Sequence, residues 1–305
     1  MKFKKYIHLG LVTAGALALM TNCSRPEYPE PTPATEPSTA ISRVLFVNAA
    51  PGAPALNLLV NNVQVAQAIP FAGNQPGYAQ VGVGNQQIRG KAANGTIGGT
   101  LGTNDLLFRA GATNNNNFSF AANANYTVFA TDTLARPRPT APAGATDPGG
   151  LSFLVLQDNL AAPAAGRAHI RFINLAPGTQ AVELINTATT QSLLSVEGTA
   201  RNSRTGNTAL INNFQRRAYK ETQKSATIDA DRINVSITGF TPIDAGAYAL
   251  QIQNSGTAAT GTKALPGIIP LDYTFESGKI YTIYLRGLVG GSGEQALGAS
   301  VIQHN

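Results

Sequence analysis

The sequence predicts an all-β protein: two antiparallel β-sandwiches in tandem, carried behind an export signal and a disordered tether. Three observations predict it. The 305 residues are too many for one small domain and enough for two, each with its own core. Charged residues are only 12% of a chain rich in Gly, Asn, Thr, Ala and Pro, which suits short strands and many turns rather than long surface helices. Finally, "RVLFVNAAPGAPALNLLV" from Arg43 returns as "HIRFINLAPGTQAVELI" from His169, with Phe46 falling on Phe172, Asn48 on Asn174 and Pro51-Gly52 on Pro177-Gly178.

The chain opens on "MKFKKYIHLGLVTAGALALMTNC", with Lys2, Lys4 and Lys5 ahead of an apolar run from Leu9 to Met20. This is the pattern of a secretory signal over 1–22. The run is well short of the ~20 residues that span a bilayer, and no later segment is continuously apolar for that length, so no spanning helix is expected. Cys23, the only cysteine, follows at once and has no internal partner for a disulfide. "LMTNC" resembles a bacterial lipoprotein lipobox, although Met20 and Asn22 depart from its usual leucine and small residue. That resemblance implies acylation of Cys23, palmitate included, and anchoring in the outer membrane on its periplasmic side or at the cell surface. The alternative is an ordinary secretory peptide with an incidental cysteine.

Residues 23–40 are the expected tether. "SRPEYPEPTPATEPSTA" has almost nothing apolar to bury and reads as an extended, solvated spacer. The signal also carries three of the chain's lysines, so the formal charge of +6 falls to +3 without it. So mild a surplus does not suggest a nucleic-acid partner.

The first sandwich is expected over 41–160. Val44, Phe46 and Asn48 share one strand face, as do Ile170, Phe172 and Asn174, whereas on the other face Leu45 is matched by Arg171. The Val44/Ile170 and Phe46/Phe172 pairs are therefore the core candidates. The Pro-Gly that follows is a turn, and the asparagine before it closes the strand end by bonding nearby backbone rather than a ligand. Two further landmarks recur in the same order. "VGVGNQQIRG" aligns with "IDAGAYALQIQ", placing Gly84 on Gly246 and Ile88 on Leu250, and "YTVFATD" from Tyr126 aligns with "YTIYLRG" from Tyr281. Such order marks two tandem copies, not a many-unit solenoid. "DAGAY" and "ESGKIY" resemble the lead-in to the tyrosine corner of immunoglobulin-like sandwiches. Further apolar runs, "LSFLVLQ" and "INVSITGF", read as strands. The join is "AAPAAG" from Ala161 to Gly166, short enough for the two bodies to touch, and the second sandwich is expected over 167–305.

Taken together, "RVLFVNAAPGAPALNLLV", "YTVFATD", "LSFLVLQDN", "AHIRFINLAPG" and "YTIYLRG" resemble the bacterial family called domain of unknown function 4397, whose members are often exported proteins and lipoproteins, including those of Bacteroidota. The resemblance covers nearly all of the chain beyond the tether, as two copies. It departs at Leu45, where arginine is common, and at a long insertion after Gly198. It implies an immunoglobulin-like or transthyretin-like sandwich in the cell envelope, and it supplies no catalytic residues.

Catalytic patterns are not evident. His169 opens a strand and His304 is the penultimate residue, neither in metal or triad spacing. No serine lies in a GxSxG elbow. "DAD" at Asp229 to Asp231 lacks further calcium ligands, "GVG" and "GGTLG" read as turns, and "ATNNNNFS" from Ala112 reads as a polar connection. "DTL" at Asp132 resembles a short O-glycosylation motif, a three-residue match of little weight. No cofactor is expected. The insertion, about 198–225, gathers Arg201, Arg204, Arg216, Arg217, Lys220 and Lys224 around Phe214 and Tyr219. It is either a solvated loop, the plainer reading, or a contact for acidic glycans or lipid phosphates. The expected function is non-enzymatic: a lipid-anchored envelope protein serving adhesion, scaffolding or surface interaction, with envelope proteins or glycans as partners. The alternative is a glycan-binding lipoprotein of a polysaccharide capture system, for which a chain without tryptophan is a poor sugar platform.

Overall fold

The computed structural model describes residues 40–109, 117–138, 148–177, 179, 182–193, 240–254 and 265–305. All its regular structure there is strand, apart from two single-turn 3-10 segments at Gly99–Leu101 and Gly293–Gln295. Residues Ala40–Asn305 form one compact unit.

The first copy contains β1 (Ile41–Asn48), β2 (Leu56–Val60), β3 (Val63–Ile69), β4 (Ala79–Gly82), β5 (Gly84–Ala92), β6 (Leu106–Leu107), β7 (Asn117–Phe120), β8 (Asn125–Thr131) and β9 (Ser152–Asp158). One sheet runs β4-β1-β8-β9, and the facing sheet runs β3-β2-β5-β6 with β7 also on β5. The second copy contains β10 (Arg167–Asn174), β11 (Val182–Asn186), β12 (Gln191–Ser192), β13 (Thr241–Asp244), β14 (Gly246–Asn254), β15 (Ile269–Phe275), β16 (Ile280–Arg286) and β17 (Gly298–Gln303). Its sheets are β13-β10-β16-β17 and β12-β11-β14-β15. The sandwiches are antiparallel except for one central pair in each: β1 runs parallel to β8, and β10 to β16. Both parallel pairs keep one register, Val44 opposite Tyr126 and Ile170 opposite Tyr281, as tandem copies require.

The core of the first copy includes Val44, Phe46, Leu58, Ile88 and Phe120; that of the second includes Ile170, Phe172, Leu184, Leu250 and Phe275. The expected core faces are thus in place. Asn48 is fully buried, its amide donating to the carbonyls of Pro54 and Ile69, both at 3.1 Å, while its Oδ1 takes the N–H of Ala50. Asn174 likewise takes the N–H of Ala176 and donates to Thr179 Oγ1. Gly52 in the following turn has φ +78°, a conformation that costs glycine nothing. The hydroxyls of Tyr126 and Tyr281 accept backbone N–H groups from Ala121 and Glu276, both at 3.1 Å, and Tyr248 donates to the Asp244 carbonyl. "ATNNNNFS" is a connection only in part, because Asn117 to Ser119 belong to β7, whose Phe118 stacks edge-on against Phe120 and Tyr126.

The second face of the central strands is as buried as the first. Leu45, Val47, Ala49, Phe129 and Leu156 of one copy meet Ile173, Leu175, Tyr284 and Ile302 of the other in a third core. Strands covered on both faces read as largely apolar runs, and "VLFV", "YTVFA", "IRFI" and "YTIYL" follow that pattern apart from Thr127, Arg171 and Thr282, which are polar yet buried. The Leu45/Arg171 face, which looked the less apolar in sequence, is the seam between the sandwiches.

Candidate functional site

At one end of that seam five strands bring polar groups together out of solvent. Thr127 comes from β8, Asp158 ends β9, Arg171 lies in β10 and Thr282 in β16, and His304 follows β17. Tyr78, just ahead of β4, closes the cluster. Arg171 is 2% exposed, Asp158 3% and His304 7%.

The hydrogen bonds assign every proton. Tyr78 and Thr127 both donate their hydroxyls to Asp158 Oδ2, at 2.8 and 2.7 Å. With its one proton committed, Tyr78 accepts from His304 Nδ1–H at 2.6 Å. His304 Nε2 is then the acceptor for the Thr282 hydroxyl at 2.6 Å, and Thr282 Oγ1 in turn accepts Arg171 Nε–H at 2.7 Å. Arg171 Nη2 stands 2.6 Å from Asp158 Oδ1 and 3.4 Å from Thr127 Oγ1. The shorter contact is an ion pair without the alignment of a hydrogen bond, and Arg171 Nη1 has no hydrogen-bond partner. The Phe240 ring, 4.6 Å from the guanidinium carbon, supplies a second favourable surface for that charge. Burial holds His304 neutral, pushing its pKa down to about 4, aided by the Arg171 charge and opposed by Asp158. Burial, then the Asp158 charge, raises the Tyr78 hydroxyl far above its ordinary value.

His, Tyr and Asp are the residue types of a proton relay, but here each hydroxyl and ring nitrogen is committed to a neighbour. The arrangement joins the sandwiches: Arg171 belongs to the second, and Asp158 and Thr127 to the first. A signal for it existed in the sequence, since "LQDN" at Leu156 to Asn159 recurs as "IQHN" at Ile302 to Asn305 with histidine in place of aspartate.

The family model for "Domain of unknown function (DUF4397)" matches residues 42–185. Through that stretch the chain is similar to the DUF4397 family. The match begins in β1 and runs past the Ala161–Gly166 join into β11, so Tyr78, Thr127, Asp158 and Arg171 all fall within the DUF4397 region and Thr282 and His304 lie beyond it. No curated protein matches the chain.

Away from the seam, the DUF4397 region carries an open cleft of about 370 Å³ lined by Gln87, Arg89, Leu101, Asn104, Asp105 and Arg109 among others. Arg89 Nη1 and Lys91 Nζ share the single carboxylate of Asp105 at 3.6 and 3.8 Å. Arg89 Nη2 donates to Asn62 Oδ1 at 2.6 Å, leaving its buried Nε without a hydrogen-bond partner. Sequence patterns do not bring these residues together, because they come from the β2–β3 turn, β5, the loop after it and the segment that follows β6. Asp132 of "DTL" is itself buried, accepting the Ser152 hydroxyl and pairing with Arg136 at 3.5 Å. Cys23 and the insertion's Arg201, Arg204, Arg216, Arg217, Lys220 and Lys224 lie outside the described residues, as does "DAD". Among the described residues no group of three His, Cys, Asp or Glu is placed to hold a metal ion, and no helix is long and apolar enough to cross a membrane.

Proposed function

We propose that this is a non-enzymatic envelope lipoprotein, anchored in the outer membrane through Cys23, whose two sandwiches act as one rigid body in adhesion or scaffolding. The observation that carries the reading is the closed network between the copies. The groups best suited to proton chemistry are sealed in a joint, and the joint makes a stiff body of two sandwiches. Rigidity of that kind serves a spacer or docking module held off a lipid surface by a tether. Fractionation tests the anchor: Cys23→Ser is expected to release the protein from membranes, and a variant that still sediments with them overturns lipid anchoring.

A second reading, capture of polysaccharide, is favoured by the cleft beside β5. Its guanidinium and amide donors suit the carboxylates and hydroxyls of an acidic glycan. Binding to an acidic polysaccharide that weakens at least about tenfold with Arg89→Ala would favour it, tenfold being the worth of one charged hydrogen bond. Absence of binding across a glycan array would leave the scaffold reading.

A further inference from the structure

Strand register makes the two sides of the seam equivalent residue by residue. Val44 pairs with Tyr126 as Ile170 does with Tyr281, and Tyr126 pairs with Gln157 as Tyr281 does with Gln303. On the other edge Val44 faces Ala79 as Ile170 faces Thr241. Leu45 therefore corresponds to Arg171, Val47 to Ile173, Ala49 to Leu175, Thr127 to Thr282, Phe129 to Tyr284, Leu156 to Ile302, Asp158 to His304 and Tyr78 to Phe240. Every buried apolar member of the seam has its equivalent there too, save Leu45, whose equivalent is Arg171. Phe129 and Tyr284, one such pair, stack edge-on across the seam with centroids 6.1 Å apart. Contact between equivalent residues occurs on a two-fold axis, and the same patch used by both partners is the mark of an isologous interface.

The symmetry fails at the charges. Arg171 of the second copy meets Asp158 of the first, while the equivalent pairing would set Leu45 against His304. Two first copies joined through this face would bury two carboxylates and no cation. Two second copies would bury two guanidiniums and no anion, and either arrangement leaves charge unpaired out of water.

We infer that the seam is a two-fold dimer interface contained within one chain, and that Arg171 and Asp158, set against Leu45 and His304, make each sandwich accept the other copy and reject its own kind. The face each sandwich offers thus has one partner, the opposite copy. Tyr78 serves either arrangement, because its hydroxyl touches both Asp158 and His304.

Two exchanges in the full chain test this. The first is Leu45→Arg with Arg171→Leu; the second is Asp158→His with His304→Asp. Each alone separates the charges and is expected to lower Tm by about 10 °C, as breaking a buried pair in a domain pair of this size does. Both together rebuild the pair at the symmetry-related place and are expected to recover at least half of that loss, with a monomer by light scattering. A combined chain that folds when neither exchange alone does supports the inference most strongly. A combined chain no more stable than the weaker exchange, or one that fails to fold, overturns it.

Discussion

Arg171 is the residue on which the joint depends. Replacing it with methionine leaves Asp158 buried without its cation and removes a donor from Thr282, so a loss of about 3–5 kcal/mol is expected in urea unfolding. Arg171→Met with Asp158→Leu removes both charges but takes the acceptor from the Tyr78 and Thr127 hydroxyls, and is expected to restore only part of it. His304 makes stability depend on pH. In the fold it stays neutral down to about pH 4, whereas a free histidine protonates near 6.5. Between those values the unfolded chain binds more protons, so stability falls as pH drops through the window, by about 3 kcal/mol in all. His169, lowered by burial and by Arg167, acts with the same sign from a more exposed position. His304→Gln should therefore flatten most of the slope between pH 6.5 and 4, measured by denaturant midpoints. At this scale the sequence was least legible. Arg171 stood out only as a mismatch with Leu45, and His304 only as a residue near the end of the chain, because their partners come from strands far apart in sequence.

Strand ends and turns were the legible elements. "FVNAAPG" and "FINLAPG" announce a strand, a backbone-binding asparagine and a turn within seven residues; the structure builds both strands, sets both asparagines on the N–H two residues on, and turns the first copy at Gly52. Asn48→Ala removes the partner of three backbone groups and is expected to cost about 2 kcal/mol by thermal unfolding, an unsatisfied buried group being the larger part. Tyr126→Phe, losing one bond to the Ala121 N–H, is expected to cost about 1 kcal/mol. β7 was hidden because its flank is a run of asparagines. Its "FSF" nevertheless repeats as "YTF" in β15, and both place two aromatic rings against the tyrosine near the start of the next strand, Tyr126 or Tyr281. The period-two pattern that located the core faces could not show that the opposite faces were covered as well. Only the nearly continuous apolar runs carried that message.

Across the whole molecule, the third core ties the fate of one sandwich to that of the other. Calorimetry of the full chain is expected to show a single transition with equal calorimetric and van't Hoff enthalpies. Phe129→Ala, which empties the middle of the seam at a cost of about 3–5 kcal/mol, is expected to split it into two. The parallel pairing of β1 with β8 and of β10 with β16 sets a different property, the folding clock. Each central strand is made early and must wait for a partner that follows, among the described residues, six intervening strands in the first copy and five in the second. Neither sandwich can close on local contacts, and topologies of this kind reach the native state on the order of milliseconds to seconds rather than microseconds. Until then both apolar faces of β1 and β10 are uncovered, so the interval between synthesis and closure is when this chain most needs protection from its neighbours.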